Sequence, residues 1–249
     1  MKEYNKIKKF RAESFYKKIK GLFMDKIYTG FENLDKSLWV YKGNLVVFAA
    51  PARTERLCFF CSIMENITNK LKCLFFSMET SRSNRVESLM GRTMDYSSNM
   101  MVVREIIDFE ELLITVAEQK LKNGIDAVFI DNFYDLHICS KCSEKELVLK
   151  IKDMAKRLNI AIVINEYVVK YNNNLYNYKN IAHKEFIKYA DKILIMYNSY
   201  EYIRKKGLIK ERIIKDRFRI HKQKDVDNEL FIWQEFKFDN TSLRFYEIP

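Results

Sequence analysis

Short apolar runs alternate with longer amphipathic stretches from residue 44 onward. Strands are predicted at 45–50, 73–77, 127–131, 161–165 and 192–196. Helices are predicted at 55–69, 82–93, 109–122 and 144–158. Gly124 marks the end of the third helix, because glycine is favoured just past a helix terminus. This alternation predicts a mostly parallel, twisted α/β sheet flanked by crossover helices.

The C-terminal part of the chain has a different pattern. Residues 209–222, 229–238 and 243–248 form longer alternating runs separated by polar turns. Strands joined by short turns pair antiparallel. The sequence therefore predicts an antiparallel extension at the C-terminal end of the sheet.

Residues 1–24 form a basic amphipathic stretch, and we predict a separate N-terminal helix there. Its apolar positions recur every three to four residues, at Ile7, Phe10, Phe15, Ile19 and Leu22, and lysines cover the rest. Three sites could bury this stripe: the remainder of the chain (25–249), a neighbouring subunit, or DNA or a membrane surface.

Composition indicates a folded domain of high positive charge. The 249 residues are 48% hydrophobic, enough for one full α/β core plus an appendage. Lys and Arg exceed Asp and Glu by 44 to 33, a formal net charge of +11. This balance suits nucleic acid or an acidic protein partner, or it reflects a lysine-rich, solvated surface.

No apolar run approaches the roughly 20 residues that span a bilayer, and no secretory signal is recognisable, so we expect a cytoplasmic protein. Five cysteines, an odd number, fit a reducing compartment. Cys58 and Cys61 fall on a predicted core helix. Cys139 and Cys142 fall in a predicted polar loop and could bind metal or oxidise, but the two pairs are too far apart for common zinc-site spacing, and we expect no metal.

Three ordered segments carry a family resemblance. They are Thr29-Gly30-Phe31-Glu32-Asn33-Leu34-Asp35, Gly43-Asn44-Leu45-Val46-Val47-Phe48-Ala49-Ala50-Pro51 and Ser77-Met78-Glu79-Thr80-Ser81. Together they resemble the C-terminal motor domain of DnaB-type replicative helicases, and runs at 151–164 and 189–194 extend the likeness from about residue 25 to 245. The resemblance implies a RecA-like fold, with ATP and Mg²⁺ as the family's cofactors and single-stranded DNA as its ligand.

The phosphate-binding loop departs from that family. The helicase loop ends in Gly-Lys-Thr or Gly-Lys-Ser, whereas here the positions read Thr54-Glu55-Arg56, and no glycine occurs between Gly43 and Gly91. Glycines let backbone N–H groups surround a phosphate, and the lysine neutralises its charge. We therefore expect no bound cofactor and no ATPase activity. In the alternative, Arg53 or Arg56 replaces the lysine and ATP and Mg²⁺ bind.

Two carboxylates of the family's catalytic machinery are retained. Asp131 ends an apolar strand, as the Mg²⁺-positioning aspartate does in the helicases, and Glu79 matches the glutamate that orients the attacking water. We expect both to be vestigial and to crowd with Glu55. The helicases' Ser-Gln sensor pair, which couples the γ-phosphate to the DNA loops, is replaced by Asn165-Glu166.

Two basic segments are candidates for nucleic-acid contact. Lysines and tyrosines alternate in the segment that corresponds to a DNA-binding loop, where we predict contacts from Lys170, Tyr171 and Lys179. Lys222 and Lys224 stand near the place of the helicases' Lys-Gln-Arg finger, where a solvated basic turn is the alternative interpretation.

The sequence thus predicts an ATPase-deficient, helicase-like protein of DNA replication, encoded by a phage, plasmid or other mobile element. It would act by binding a replicative helicase subunit, a second copy of itself, or single-stranded DNA. One alternative is an active ATP-dependent DNA helicase with a nonstandard loop. Another is an inhibitor or decoy of a host replicative helicase.

Overall fold

The computed structural model describes residues 25–38, 40–51, 54–77, 99–104, 107–168, 178–205, 208–225 and 233–248. Several predictions lie outside these residues: the N-terminal helix at 1–24, the helix at 82–93, and the candidate site residues Glu79, Arg53, Lys170 and Tyr171. None of the helices within the described ranges is long and apolar enough to cross a membrane.

A nine-stranded mixed sheet forms the centre of the molecule. Its strands are β3 (Leu45–Ala50), β4 (Cys73–Ser77), β5 (Met100–Val103), β6 (Ala127–Asp131), β7 (Ala161–Tyr167), β8 (Lys192–Lys205), β9 (Leu208–Asp225), β10 (Trp233–Asp239) and β11 (Arg244–Glu247). Their order is β11-β10-β9-β8-β3-β7-β6-β4-β5. The strands from β8 to β5 pair in parallel, and β8 to β11 pair antiparallel. The predicted fold class, including its antiparallel extension, is confirmed.

Helices cover both faces of the sheet. They are α1 (Glu32–Ser37), α2 (Thr54–Thr68), α3 (Phe109–Asn123), α4 (Phe133–Ser140), α5 (Glu144–Leu158) and α6 (Glu185–Tyr189). Sequence signals set their ends. Asp108 accepts a hydrogen bond from the Glu111 amide and Ser143 accepts one from the Glu146 amide. Gly124 ends α3 with φ 68°, the left-handed conformation that favours glycine.

Each strand of the parallel sheet contributes to two cores, because successive side chains point to opposite faces. In β3, Val46, Phe48 and Ala50 pack with α2, whereas Leu45, Val47 and Ala49 pack with α3 and α5. Every residue of β3 is buried. A strand covered on both faces needs a continuous apolar run, which explains why β3, β4 and β6 are recognisable from sequence.

A short antiparallel pair, β1 (Lys26–Ile27) with β2 (Val40–Tyr41), flanks the loop that leads into α1. Asp35 organises this loop by accepting hydrogen bonds from the Thr29 amide (2.7 Å), the Thr29 hydroxyl (2.9 Å) and the Gly30 amide (3.0 Å). Burial raises the pKa of Asp35 despite these hydrogen bonds. Gly30 has φ +83°, and an added Cβ would lie 2.4 Å from the Cβ of Asn66.

The last strand closes onto the first helix. Both carboxylate oxygens of Glu247 accept backbone hydrogen bonds at the start of α1, from Asn33 (3.1 Å) and Leu34 (2.9 Å). A carboxylate at a helix N-terminus satisfies otherwise unpaired N–H groups.

Two elements differ from the sequence-based expectation. Residues 133–140 form the helix α4, so Cys139 lies in its last turn rather than in a loop. Strand β5, at the edge of the sheet, was not predicted at all. Among the described residues no three His, Cys, Asp or Glu side chains come together to hold a metal ion.

Candidate functional site

The carboxyl ends of β3 and β7 form the crevice in which ligands of open α/β sheets usually bind. The chain leaves β3 and continues to β4, on the far side of β7 and β6, whereas after β7 it returns to β8, on the other side of β3. Such a reversal separates the loops that follow the two strands, which opens a crevice at that edge. The candidate residues from the phosphate-loop and sensor positions fall here.

Arg56 lies at this edge, in the first turn of α2. Its side chain is 1% exposed, and its guanidinium carbon lies 3.8 Å from the centre of the Tyr167 ring at the end of β7. Within the described part of the chain, Nε and Nη1 of Arg56 have no hydrogen-bond partner. Thr54 begins the helix, and Glu55, beside Arg56, is half-buried. A buried guanidinium therefore occupies the start of the helix that follows the altered loop.

Asp131 ends β6, as predicted, and its carboxylate is 1% exposed. The side-chain amide of Asn165, opposite it in β7, donates a 2.7 Å hydrogen bond to Oδ1 of Asp131. On α2, burial raises the pKa of the Cys61 thiol well above its usual value, and the nearby Cys58 and Asp131 raise it further. Asn165, which replaces the family's sensor serine, thus contacts the retained aspartate directly.

Glu166 forms a buried ion pair with His183. The carboxylate is 2% exposed, and its Oε2 lies 2.7 Å from Nδ1 of His183. The Tyr167 amide donates a 2.6 Å hydrogen bond to Oε1. Burial lowers the pKa of His183, but the hydrogen bond and charge of Glu166, with a contribution from Glu144, outweigh it, so the pKa is raised above 6.5.

Backbone contacts join the segment containing His183 to the end of the sheet. Val168 donates a hydrogen bond to the Ala50 carbonyl (3.0 Å) and forms a bridge with Ile181. The Ala182 amide donates to the Tyr167 carbonyl (2.9 Å). The sequence analysis missed His183, although an acidic residue in place of the sensor glutamine is a signal that a basic partner lies nearby.

The predicted nucleic-acid lysines occupy three different environments. Lys179 is exposed in the 3₁₀ turn Tyr178–Asn180. Lys222 is 4% exposed and stands opposite Leu194 in the β8–β9 pair. Lys224 donates hydrogen bonds of 3.0 Å to the carbonyls of Ile187 and Lys188.

Burial lowers the pKa of Lys224, and the nearby Lys152 lowers it further. Both Lys222 and Lys224 belong to strand β9, so the alternative of a solvated turn is wrong. Their contact with nucleic acid stays a prediction.

Comparison with solved structures identifies the fold. The ATPase domain of one DnaB-like helicase superposes with a TM-score of 0.74 at 15% identity, covering 97% of this chain and 98% of that one. A second DnaB-like replicative helicase, solved with its interactions with primase, gives a TM-score of 0.70 at 15% identity. The chain has the RecA-like fold of a DnaB-type helicase ATPase domain. It covers 62% of the second helicase, and that match covers 90% of this chain.

The fold extends beyond the helicases. A KaiC-like protein from the hyperthermophilic archaeon Pyrococcus horikoshii OT3 gives a TM-score of 0.64 at 13% identity, covering 91% of this chain and all (100%) of that one. Neither a scan of protein-family models nor a search of curated proteins found a match. The likeness to the DnaB-type domains therefore concerns the fold.

Proposed function

We propose that this protein is a DnaB-like RecA-fold protein of DNA replication that acts by binding a helicase partner, single-stranded DNA or both, and does not hydrolyse ATP. The observation that carries the proposal is the buried Arg56 guanidinium on the ring of Tyr167. In the alignment with the helicase loop, Arg56 stands at the Ser/Thr whose hydroxyl holds Mg²⁺. A guanidinium fixed at that position competes with a metal ion for the same place.

The neighbouring Glu55 supports the same conclusion. It stands at the lysine position, so it brings a negative charge to the place where the triphosphate would lie. At about 4 Å and an effective dielectric of about 20, changing one attraction to a repulsion costs several kcal/mol. The preceding residues also contain no glycine that would let backbone N–H groups surround a phosphate.

The binding role rests on charge and on the fold. A net charge of +11 suits phosphate-rich or acidic partners. One solved structure with this fold is titled for a helicase's interactions with primase, and from it we take a protein partner of the replication machinery as the partner class. We propose a replicative helicase subunit or a second copy of this chain, bound with the help of residues 1–24.

Calorimetric titration with Mg-ATP at millimolar concentration tests the first part. We expect no binding by the unaltered chain. A micromolar dissociation constant would contradict the proposal, and an Arg56→Ala variant would then tell whether this arginine is the phosphate ligand.

Capture of a purified replicative helicase, and anisotropy with a labelled single-stranded oligonucleotide, test the second part. We expect at least one of them to give binding in the absence of nucleotide. Deleting residues 1–24 should leave a folded domain that no longer captures the helicase or self-associates. If the captured helicase also loses activity, the protein is an inhibitor. If neither assay detects binding, the proposed function is wrong.

A further inference from the structure

We propose that the Glu166–His183 ion pair is a pH-sensitive link that holds the segment 178–189 against the carboxyl end of β7, and that it does so without a nucleotide. Residues at both ends of this link are buried, and the contacts within it are made by this chain alone. The inference goes beyond the proposed function, since it concerns how one edge of the molecule is held.

The contacts form a continuous path from α2 to the segment 178–189. Arg56 stacks on the ring of Tyr167, whose amide donates to Glu166 and whose carbonyl accepts from Ala182. Glu166 in turn pairs with His183 at 2.7 Å. The start of the helix after the phosphate-loop position and the segment 178–189 are therefore joined by protein atoms throughout.

His183 has a defined packing position, so its charge acts at one place. Its ring contacts Phe133 edge-on, with ring centres 4.7 Å apart, and lies near Phe186 at 6.4 Å. Packing of this kind fixes the imidazole beside Glu166. Loss of its charge would therefore leave the Glu166 carboxylate, 2% exposed, without a cationic partner in the same position.

The titratable groups around His183 come from four elements. Glu166 belongs to β7, and Glu144, at the start of α5, adds a second negative charge. Tyr134 and His137 of α4 present their rings at 6.4 Å and 6.0 Å. Beside His183 in its own segment are Lys184 and Glu185. The direct carboxylate contact is the shortest of these interactions, so the pair's state follows the proton of His183.

The raised pKa of His183 fixes the direction of the pH effect. A group whose pKa is higher in the folded state stabilises that state fully below its unfolded value, here about 6.5. The stabilisation is lost as the pH rises through the higher, folded value. The link is therefore tight in mildly acidic solution and loosens on the alkaline side of neutrality.

Proton NMR of the histidine rings tests the link in the intact chain. The sequence contains only three histidines, and burial, aided by Arg219, lowers the pKa of His221 to about 4, so the signals are few and separable. His137→Gln and His221→Gln assign them. We expect His183 to titrate above 6.5, and Glu166→Gln to move its midpoint down. A midpoint at or below 6.5 that Glu166→Gln leaves unchanged overturns the proposal.

Hydrogen exchange of the peptide covering residues 178–189 gives a second readout. After correction for intrinsic rates, we expect exchange to accelerate as the pH rises through the His183 midpoint, about tenfold for each pKa unit of stabilisation lost. His183→Gln should abolish this pH dependence, whereas His221→Gln should keep it. Exchange without pH dependence in the unaltered chain refutes the link, whether or not the variants fold.

Repeating the exchange with Mg-ATP separates this inference from the proposed function. We expect no change on adding nucleotide. Protection that appears only with Mg-ATP would overturn nucleotide independence and the proposed lack of ATP binding, while the pH series still decides the ion pair. Absence of DNA or helicase binding would overturn the proposed function and leave the NMR and exchange results standing.

Discussion

Replacing Arg56 by methionine should stabilise the protein. Two buried guanidinium nitrogens have no hydrogen-bond partner among the described residues, and each unsatisfied buried group costs about 1–3 kcal/mol. The stacking on Tyr167, at 3.8 Å, returns up to about 2 kcal/mol. Methionine keeps a comparable volume and removes the unpaired donors. The balance favours the variant by about 1–3 kcal/mol.

Thermal unfolding measures this difference. For a domain of this size 1 kcal/mol corresponds to about 2–4 °C, so Arg56→Met should raise Tm by roughly 2 to 10 °C. Arg56→Lys should lower Tm, because a compact ammonium cannot stack flat on the ring. Arg157→Met is the matched control: its side chain is 78% exposed and pairs with Asp153 on the same helix, a contact worth little.

The opposite result would refute the reasoning. If Arg56→Met lowers Tm by several degrees while Arg157→Met does not, the guanidinium has a polar partner in solution. Repeating the melts with inorganic phosphate distinguishes the sources. Stabilisation of the unaltered chain alone would identify an anion, whereas no effect would identify a protein group outside the described residues.

Three further predictions concern other parts of the molecule. Gly30→Ala should destabilise the fold by about 2–5 kcal/mol in chemical denaturation, because a Cβ clashes with Asn66 at positive φ; Gly124→Ala, which has positive φ but nothing within 4 Å, should cost less. Asp191→Asn should lower stability by about 1–3 kcal/mol, because Asp191 pairs with Lys152 at 3.0 Å and accepts from the Leu45 amide at 2.9 Å; equal stability would contradict this. Single-strand affinity, by anisotropy, should fall steeply with salt and with Lys179→Glu, but not with Lys122→Glu; a salt-independent signal would argue against phosphate contact.

The sequence was most informative where burial depends on local pattern. Strands β3, β4 and β6 were predicted with their observed bounds, because a strand buried on both faces is a continuous apolar run. The helix Glu144–Leu158 was also predicted, since a serine cap precedes a strongly amphipathic stretch.

Features that depend on tertiary contacts were missed. Strand β5 is half-buried throughout and lies at the sheet edge, so its residues show no inward–outward alternation. The short helix α4 starts after Asn132 at φ 71°, a conformation that no local motif indicates. Arg56 and His183 were not expected to be buried, because a charged residue enters a core only where distant groups receive it.

The contact between Glu247 and α1 has a consequence for biosynthesis. The carboxylate and the amides it accepts are separated by 214 and 213 positions in the chain. A helix of six residues is too short to persist alone in water. During translation α1 must therefore wait for the final strand, and the fold is completed only after release of the C-terminal residues from the ribosome. Such late closure should make folding slow, since contacts of long sequence separation form last.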